Sequence, residues 1–434
     1  MTLVAGVDSS TQSCKVLICD AESGQVVRSG RAPHPSGTEV HPDHWWHAFQ
    51  KAAAEAGGLE DVAAISVGGQ QHGMVLLDSV GVPVRNALLW NDTRSASAAE
   101  DLIADLASAE HTGEQAWVNR VGLVPVASFT ASKLRWVADN EPEAMSRAAA
   151  VCLPHDWLSW KIAGGTDVSQ IRTDRSDASG TAYFAAHTDC YDMDLLRLST
   201  RGRELLVPEV IQFGDPAHTS GALFVGAGMG DNAAAAEGVG IEAGDTLVSL
   251  GTSGVVTAIT ADRPIDETGV VAGFAAARPG LFLPLACTLN GAELFDSYAR
   301  LLGVSLDELA ELALSAEPGS AGVLTVPYFN GERTPNLPNA RGSLTGLSLA
   351  NFTAQNLARS IVEGLLQGLA FAMDSVSASS AGKVYMVGGA AKSRAVREIA
   401  PVIFGRPVVF PDSAEYVALG AAKQASELVR EQNS

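Results

Sequence analysis

Asp231 follows the glycine-rich run Val225-Gly-Ala-Gly-Met-Gly230 and precedes Asn232 and four alanines. A carboxylate reached through glycines has little steric cover and accepts a proton from a hydroxyl. Asp is also among the best helix N-caps, and the two roles are compatible. Asp8 closes the apolar run of residues 3–7. Its carboxylate suits an Asx turn or a hydrated Mg2+, an ion that prefers oxygen ligands and keeps waters; the residue alone divides evenly between them. Two turns of small and hydroxylic residues, 9–13 and Gly251-Thr252-Ser253-Gly254, can present backbone N–H groups to an anion. One such turn is ordinarily only a hairpin. Two of them, one in each half, suit a phosphate chain gripped from both sides. Lys15 adds a point charge for phosphate or is a solvated strand residue. Gly69-Gln70-Gln71-His72-Gly73 groups two amides and an imidazole that donate to and accept from a polyol. A lone histidine is more often structural. Trp90-Asn-Asp92-Thr-Arg94 adds polar groups after an aromatic.

The elements that must hold these residues follow from apolar runs and punctuation. Residues 3–7 and 15–19 read as two strands around a hydroxyl-rich turn. Residues 41–56 read as a helix with Asp43 as N-cap, and 63–67 as a buried strand that delivers the glutamine pair. Residues 92–160 are mostly helical by pattern, and 169–216 polar and turn-rich. In the second half, 223–225 is a strand before the glycine run and Asp231 opens a helix. Strands at 246–250 and 255–260 flank the second turn, a strand at 384–387 ends in Gly388-Gly389, and a helix covers 417–428. Strands alternating with helices mean an α/β architecture. The strand–turn–strand unit recurs in both halves, which predicts two related domains, 1–219 and 220–434, with a ligand cleft between them.

Composition narrows the function. Of 434 residues, 47% are hydrophobic and 18% charged, so a sizeable core forms and extended disorder is excluded. With 29 Lys plus Arg against 49 Asp plus Glu, the formal charge is −20; that field repels nucleic acid but leaves a local pocket for a small anion. The five cysteines, 14, 19, 152, 190 and 287, are scattered, which points to a reducing compartment. Neither a signal peptide nor a long apolar span is legible, so the expected location is the cytoplasm. There is no GxxxxGK[ST] loop, and HExxH and GxSxG are missing. His41, His44 and His47 lie three apart, but with no completing ligand they read as a solvated helix face.

Taken together the segments resemble the FGGY carbohydrate kinases. They are Gly6-Val-Asp8-Ser-Ser-Thr11-Gln12, Gly69-Gln-Gln71-His72-Gly, Trp90-Asn-Asp92, Gly230-Asp231-Asn232-Ala-Ala, Ser249-Leu-Gly251-Thr252-Ser253-Gly254, Pro327-Tyr-Phe-Asn-Gly331-Glu-Arg-Thr-Pro335, Val387-Gly388-Gly389-Ala and Ala418-Leu-Gly420-Ala-Ala. They occur in the family's order along nearly the whole chain, and within the family the similarity is to members acting on D-xylulose. The resemblance implies two actin-like (ribonuclease-H-like) ATPase domains and ATP-dependent phosphorylation of the 5-hydroxyl of D-xylulose, with ATP and Mg2+ as cofactors. It implies Asp231 as catalytic base and Asp8 as the carboxylate tied to Mg2+, through water, and to activity. Gln71, His72 and Asn232 are implied as sugar contacts, and Thr11, Gln12, Lys15, Gly251, Thr252, Ser253, Gly389 and Ser393 as nucleotide contacts. The expected partners are the sugar and ATP, with neither nucleic acid nor membrane, and a homodimer is a further expectation. Kinases of ribulose, gluconate or glycerol and a non-catalytic actin-like nucleotide switch are the alternatives. Three features depart from the family pattern: Gln71 stands where some members have Met, Gly388-Gly389-Ala390 stands where many have three glycines, and the tail after residue 422 is short.

Overall fold

The computed structural model describes residues 1–376 and 381–432. The chain folds into two compact units: Met1–Gly240 with Gly273–Leu281 and Glu415–Ser434, and Ile241–Ala272 with Phe282–Ala414. The point after residue 219 lies at the end of a strand of the first unit, and the C-terminal helix belongs to that unit as well. No helix among the described residues is long and apolar enough to cross a membrane.

In the first unit, β1 (Leu3–Ser9), β2 (Ser13–Asp20) and β3 (Val26–Pro33) form an antiparallel meander. Helix α1 (Asp43–Glu55) then returns the chain to β4 (Val62–Gly69), which lies parallel to β1. Trp45, Ala48, Phe49, Ala52 and Ala53 are the buried face of α1, the helical spacing that turns one stripe to a sheet. Its N-cap is Pro42, and Asp43 is the first helical residue. Five helices occupy the stretch from residue 96 to 162, the last being α2 (Pro154–Ile162). The short α3 (Arg175–Ser179) follows, and then β5 (Pro216–Ser220), β6 (Leu223–Gly226), β7 (Met229–Gly230) and α4 (Asp231–Val239). The sheet order is β5-β6-β4-β1-β2-β3, with β7 also on β4. Asp8 therefore stands beside Gly68, and Met229 and Gly230 stand beside Gly68 and Gly69. Three parallel strands end together, and the carboxyl ends of such strands are where α/β sheets bind ligands.

The C-terminal helix (Tyr416–Gln432) packs on this sheet through Ala418, Ala422, Ala425 and Leu428. Small residues permit a close approach: a Cβ on Gly6 would lie 1.9 Å from the Ala418 carbonyl oxygen, so position 6 takes only glycine.

The second unit repeats the design. A hairpin of β8 (Thr246–Leu250) and β9 (Gly254–Ala258) closes through residues 251–253. With β10 (Val271–Ala275, whose residues from Gly273 on are counted in the first unit), β11 (Phe282–Thr288), β12 (Val384–Val387) and β13 (Val408–Val409) it forms a sheet of order β10-β11-β9-β8-β12-β13. As β4 runs parallel to β1, so β12 runs parallel to β8. Helices α5 (Glu293–Leu302), α6 (Leu306–Ser315) and α7 (Ala354–Val376) supply the covering layer, with Ile361, Leu365, Leu366 and Leu369 packed on Val248, Leu250, Val256 and Met386.

Candidate active site

Asp231 is the first residue of α4. The cap position is Gly230, and no side chain caps the helix, so the N-cap reading of Asp231 is corrected. Its carboxylate is left for chemistry, while the helix start favours negative charge there. Burial pushes the carboxyl up to about 7, and the carboxylates of Asp177 and Asp8 push the same way against the pull of the Asn232 backbone N–H. Asn232 Nδ2 donates to Asp231 Oδ1 at 3.2 Å and to Gln71 Oε1 at 2.8 Å. The backbone of Gly230 lies against Gln71, where a Cβ would come within 2.6 Å of its Nε2. The end of β4 and the start of α4 thus form one polar cluster.

The loop before Asp231 is clamped from behind. Gln424 of the C-terminal helix accepts from the Gly228 N–H at 3.0 Å and donates to the Gly228 carbonyl at 3.2 Å. Ser66 Oγ donates to the same Gln424 oxygen at 2.5 Å. Ser176 Oγ of α3 accepts from the Gly230 N–H at 3.2 Å.

Asp8 Oδ2 accepts from Lys15 Nζ at 3.0 Å, the two facing each other across the β1–β2 hairpin. A second carboxylate, Glu415, lies 2.5 Å from Lys15 Nζ. The Asx-turn reading of Asp8 is corrected: a lysine, not the next turn's backbone, takes the carboxylate. Burial raises its proton affinity against the lowering effect of Lys15. Burial alone would lower that of Lys15, but Asp8 and Glu415 raise it, so the ammonium persists. Asp8 Oδ1 is buried with no hydrogen-bond partner. Thr11 Oγ1 accepts from the indole N–H of the exposed Trp90 at 2.8 Å, and Gln12 is exposed at the turn with its carbonyl accepting from His34 N–H at 2.8 Å.

His72 has φ = +68°, left-handed backbone that is uncommon outside glycine. The surroundings hold it there. Its Nδ1 donates to the Gly180 carbonyl at 2.9 Å, and its carbonyl accepts from Thr130 Oγ1 at 3.2 Å. Phe129 and Phe274 pack on the ring, centroids 4.9 and 5.4 Å away. Beneath it lies a buried network that sequence reading missed. His155 donates from Nδ1 to Asp177 Oδ2 at 2.7 Å and from Nε2 to the Ala227 carbonyl at 3.2 Å. Burial opposes a charge on His155, but Asp156, Asp177 and Asp174 outweigh it and raise the imidazole to about 10. Asp174 caps α3 by accepting from the Ser176 and Asp177 N–H groups. The stretch 169–216 reads as polar loop by hydropathy, yet residues 173–186 are all buried. The available signal was the Asp-x-x-Asp capping pattern at Asp174 and Asp177.

The second unit holds a cavity of about 370 Å³. Gly251, Thr252, Gly389 and Ser393 line it, and Ser253 is exposed in the same tight turn, its carbonyl accepting from Gly251 N–H at 3.0 Å. Phe295, Leu309, Ala310 and Val362 give it an apolar wall, and Asp296, Asp307 and Lys392 add charge. A larger depression of about 680 Å³ over residues 100–115 contains none of the candidate residues.

Residues 3–233 match the N-terminal domain of the FGGY family of carbohydrate kinases, and residues 246–427 match its C-terminal domain. The chain belongs to the FGGY family of carbohydrate kinases. Its fold is the two-domain, mixed α/β FGGY fold, of the actin-like ATPase type found in solved sugar kinases. The xylulose kinase of Streptomyces coelicolor is 44% identical over 98% of this chain and 88% of its own length. That of Streptomyces rubiginosus is also 44% identical, with the same coverage. Among solved structures, the xylulose kinase of Bifidobacterium adolescentis superposes with a TM-score of 0.94 at 46% identity, covering 100% of this chain and 94% of the other. FGGY sugar kinases use ATP as phosphate donor.

Proposed function

We propose that this FGGY kinase transfers the terminal phosphoryl group of ATP to the 5-hydroxyl of D-xylulose, giving D-xylulose 5-phosphate and ADP. The relatives at 44–46% identity over nearly the full chain are xylulose kinases. The observation that carries the chemistry is the uncapped, half-buried Asp231 carboxyl, raised to about 7 beside the Gln71–Asn232 amide pair.

Phosphoryl transfer is mostly positioning and electrostatics. Gln71, Asn232 and His72 bind the sugar hydroxyls. Asp231 orients the 5-hydroxyl and takes its proton as the new P–O bond forms. A base with proton affinity near neutrality is matched to that task. The Lys15 ammonium, with Thr11 and Gln12 on the adjoining turn, answers phosphate charge. In the second unit the apolar wall of Phe295, Leu309, Ala310 and Val362 suits a purine, and the Gly251–Thr252–Ser253 turn with Gly389 and Ser393 suits its phosphates. For Mg2+, the buried and unpartnered Asp8 Oδ1 is an oxygen ligand of the kind the ion takes, directly or through its waters. When bound, the ion neutralises charge on the phosphoryl oxygens.

The test is ADP release with and without D-xylulose, run beside ribulose, gluconate and glycerol. The expected result is sugar-dependent turnover, greatest with D-xylulose, and a C5 phosphomonoester by phosphorus NMR. ADP release indifferent to sugar would point to a nucleotide switch and refute the proposal, and preference for another polyol would refute the substrate.

A further inference from the structure

Gln70 and Gln71 are neighbours, and their side-chain amides differ in kind. Gln71 accepts from Asn232 at 2.8 Å. Gln70 is 1% exposed, and neither its Oε1 nor its Nε2 has a hydrogen-bond partner. A buried primary amide with both atoms idle is disfavoured in a folded protein and calls for a ligand or water.

The strand register says which way that amide faces. The Gln70 N–H donates to the Ser9 carbonyl at 3.1 Å, extending the β1–β4 ladder by one residue. Asp8 is paired with Gly68, and side chains two apart on a strand share a face. Gly68 faces Val417 and Ala234, where a Cβ would lie 2.7 Å and 3.1 Å from their side chains. That is the side of α4, whose first residue is Asp231. Gln70 therefore shares its sheet face with Asp8, whose Oδ1 is also buried and unpartnered. One donor and two acceptors are left over at the ends of β1 and β4, and β4 pairs with β7, the strand that delivers the proposed base.

We propose that Gln70 contacts the reacting groups: Nε2 donates to an oxygen of the transferred phosphoryl group, and Oε1 accepts from a water or hydroxyl bound beside it. This rests on the phosphoryl-transfer reading above. A donor aimed at charge that grows in the transition state lowers the barrier without tightening the ground state.

Gln70→Leu tests it, because the two readings predict different outcomes. Leucine removes two unpartnered polar atoms, so the melting temperature stays equal or rises. If Gln70 meets the reacting groups, kcat falls about 10²-fold while KM for D-xylulose and for ATP stays within about threefold. A kcat within about threefold of wild type overturns the proposal and leaves the amide to an ordered water. A fall in melting temperature overturns it too, since the amide is then satisfied within the fold. Gln70→Met, unbranched and of similar length, is the second variant, and failure of both to fold has the same meaning. The reaction itself is judged on the wild type: absence of sugar-dependent ADP release refutes the kinase reading, whereas the melting temperatures still report on the amide.

Discussion

The proton affinity of Asp231 makes the pH profile the sharpest probe of the site. The groups that raise it, besides burial, are Asp177 on α3 and Asp8 on β1. A carboxyl that binds its proton at about 7 is about nine-tenths ionised at pH 8, half at pH 7 and about a tenth at pH 6. Only the ionised form accepts a proton, so activity falls as pH falls. Between pH 8 and pH 6, kcat/KM for D-xylulose should drop about tenfold, on a limb that at saturating ATP belongs to the enzyme–ATP complex before the sugar binds. An ordinary carboxylate would stay ionised across that range and give a flat profile. Lys15 and His155 are held above their ordinary values, so both stay charged and add no limb. The assay is initial rate at low D-xylulose and saturating ATP, with ADP quantified by chromatography so that no coupling enzyme imposes its own profile. A kcat/KM constant within about twofold from pH 8 to pH 6 would refute the assignment of Asp231 as a base with raised affinity.

Asp231→Asn should lower kcat by about 10²–10⁴-fold and also stabilise the fold. A carboxyl raised from 3.8 to about 7 destabilises the native state as pH climbs through that window, with a ceiling of ~4 kcal/mol above it; the melting temperature of the Asn variant should exceed wild type at pH 8 and match it near pH 4. His72→Ala should raise the KM for D-xylulose and leave that for ATP largely unchanged, and equal weakening of both would count against a direct sugar contact. Gln424→Ala strands Ser66 and both backbone groups of Gly228. At about 1–3 kcal/mol for each buried group left unpaired, melting temperature and kcat should fall together; unchanged kcat would show that the loop before Asp231 needs no clamp.

The two hairpin turns, the strands beside them and the helix at Asp231 were legible because apolar runs, glycines and hydroxyl residues mark them locally; which strands run parallel was not. The α/β class followed from their alternation, and the family from the order of its motifs. Two readings failed for a shared reason. Asp8 and Asp231 each looked fit for a local capping or turn role, but the fold decides otherwise: Lys15 across the hairpin takes the carboxylate of Asp8, and α4 begins one residue earlier, with Gly230 as its cap, so that Asp231 stands among its neighbour Asn232 and the carboxylates of Asp177 and Asp8. The network of His155, Asp174 and Asp177 was invisible because hydropathy treats charged residues as solvated, and only the fold shows that they neutralise one another in the interior. Glu415 is 400 residues from Lys15 in sequence, a separation over which no pattern speaks.

The helix Tyr416–Gln432 covers Val4, Leu17 and Ala64 of the opening strands. During translation those strands leave the ribosome well before the segment that shields them. The nascent first sheet must therefore wait, with apolar surface bare, until residues 416–432 have been made. A stop codon ahead of residue 415 would leave the product without Gln424 and without the lid over Gly6. Such a product would be a target for chaperones and proteases, however intact its second unit.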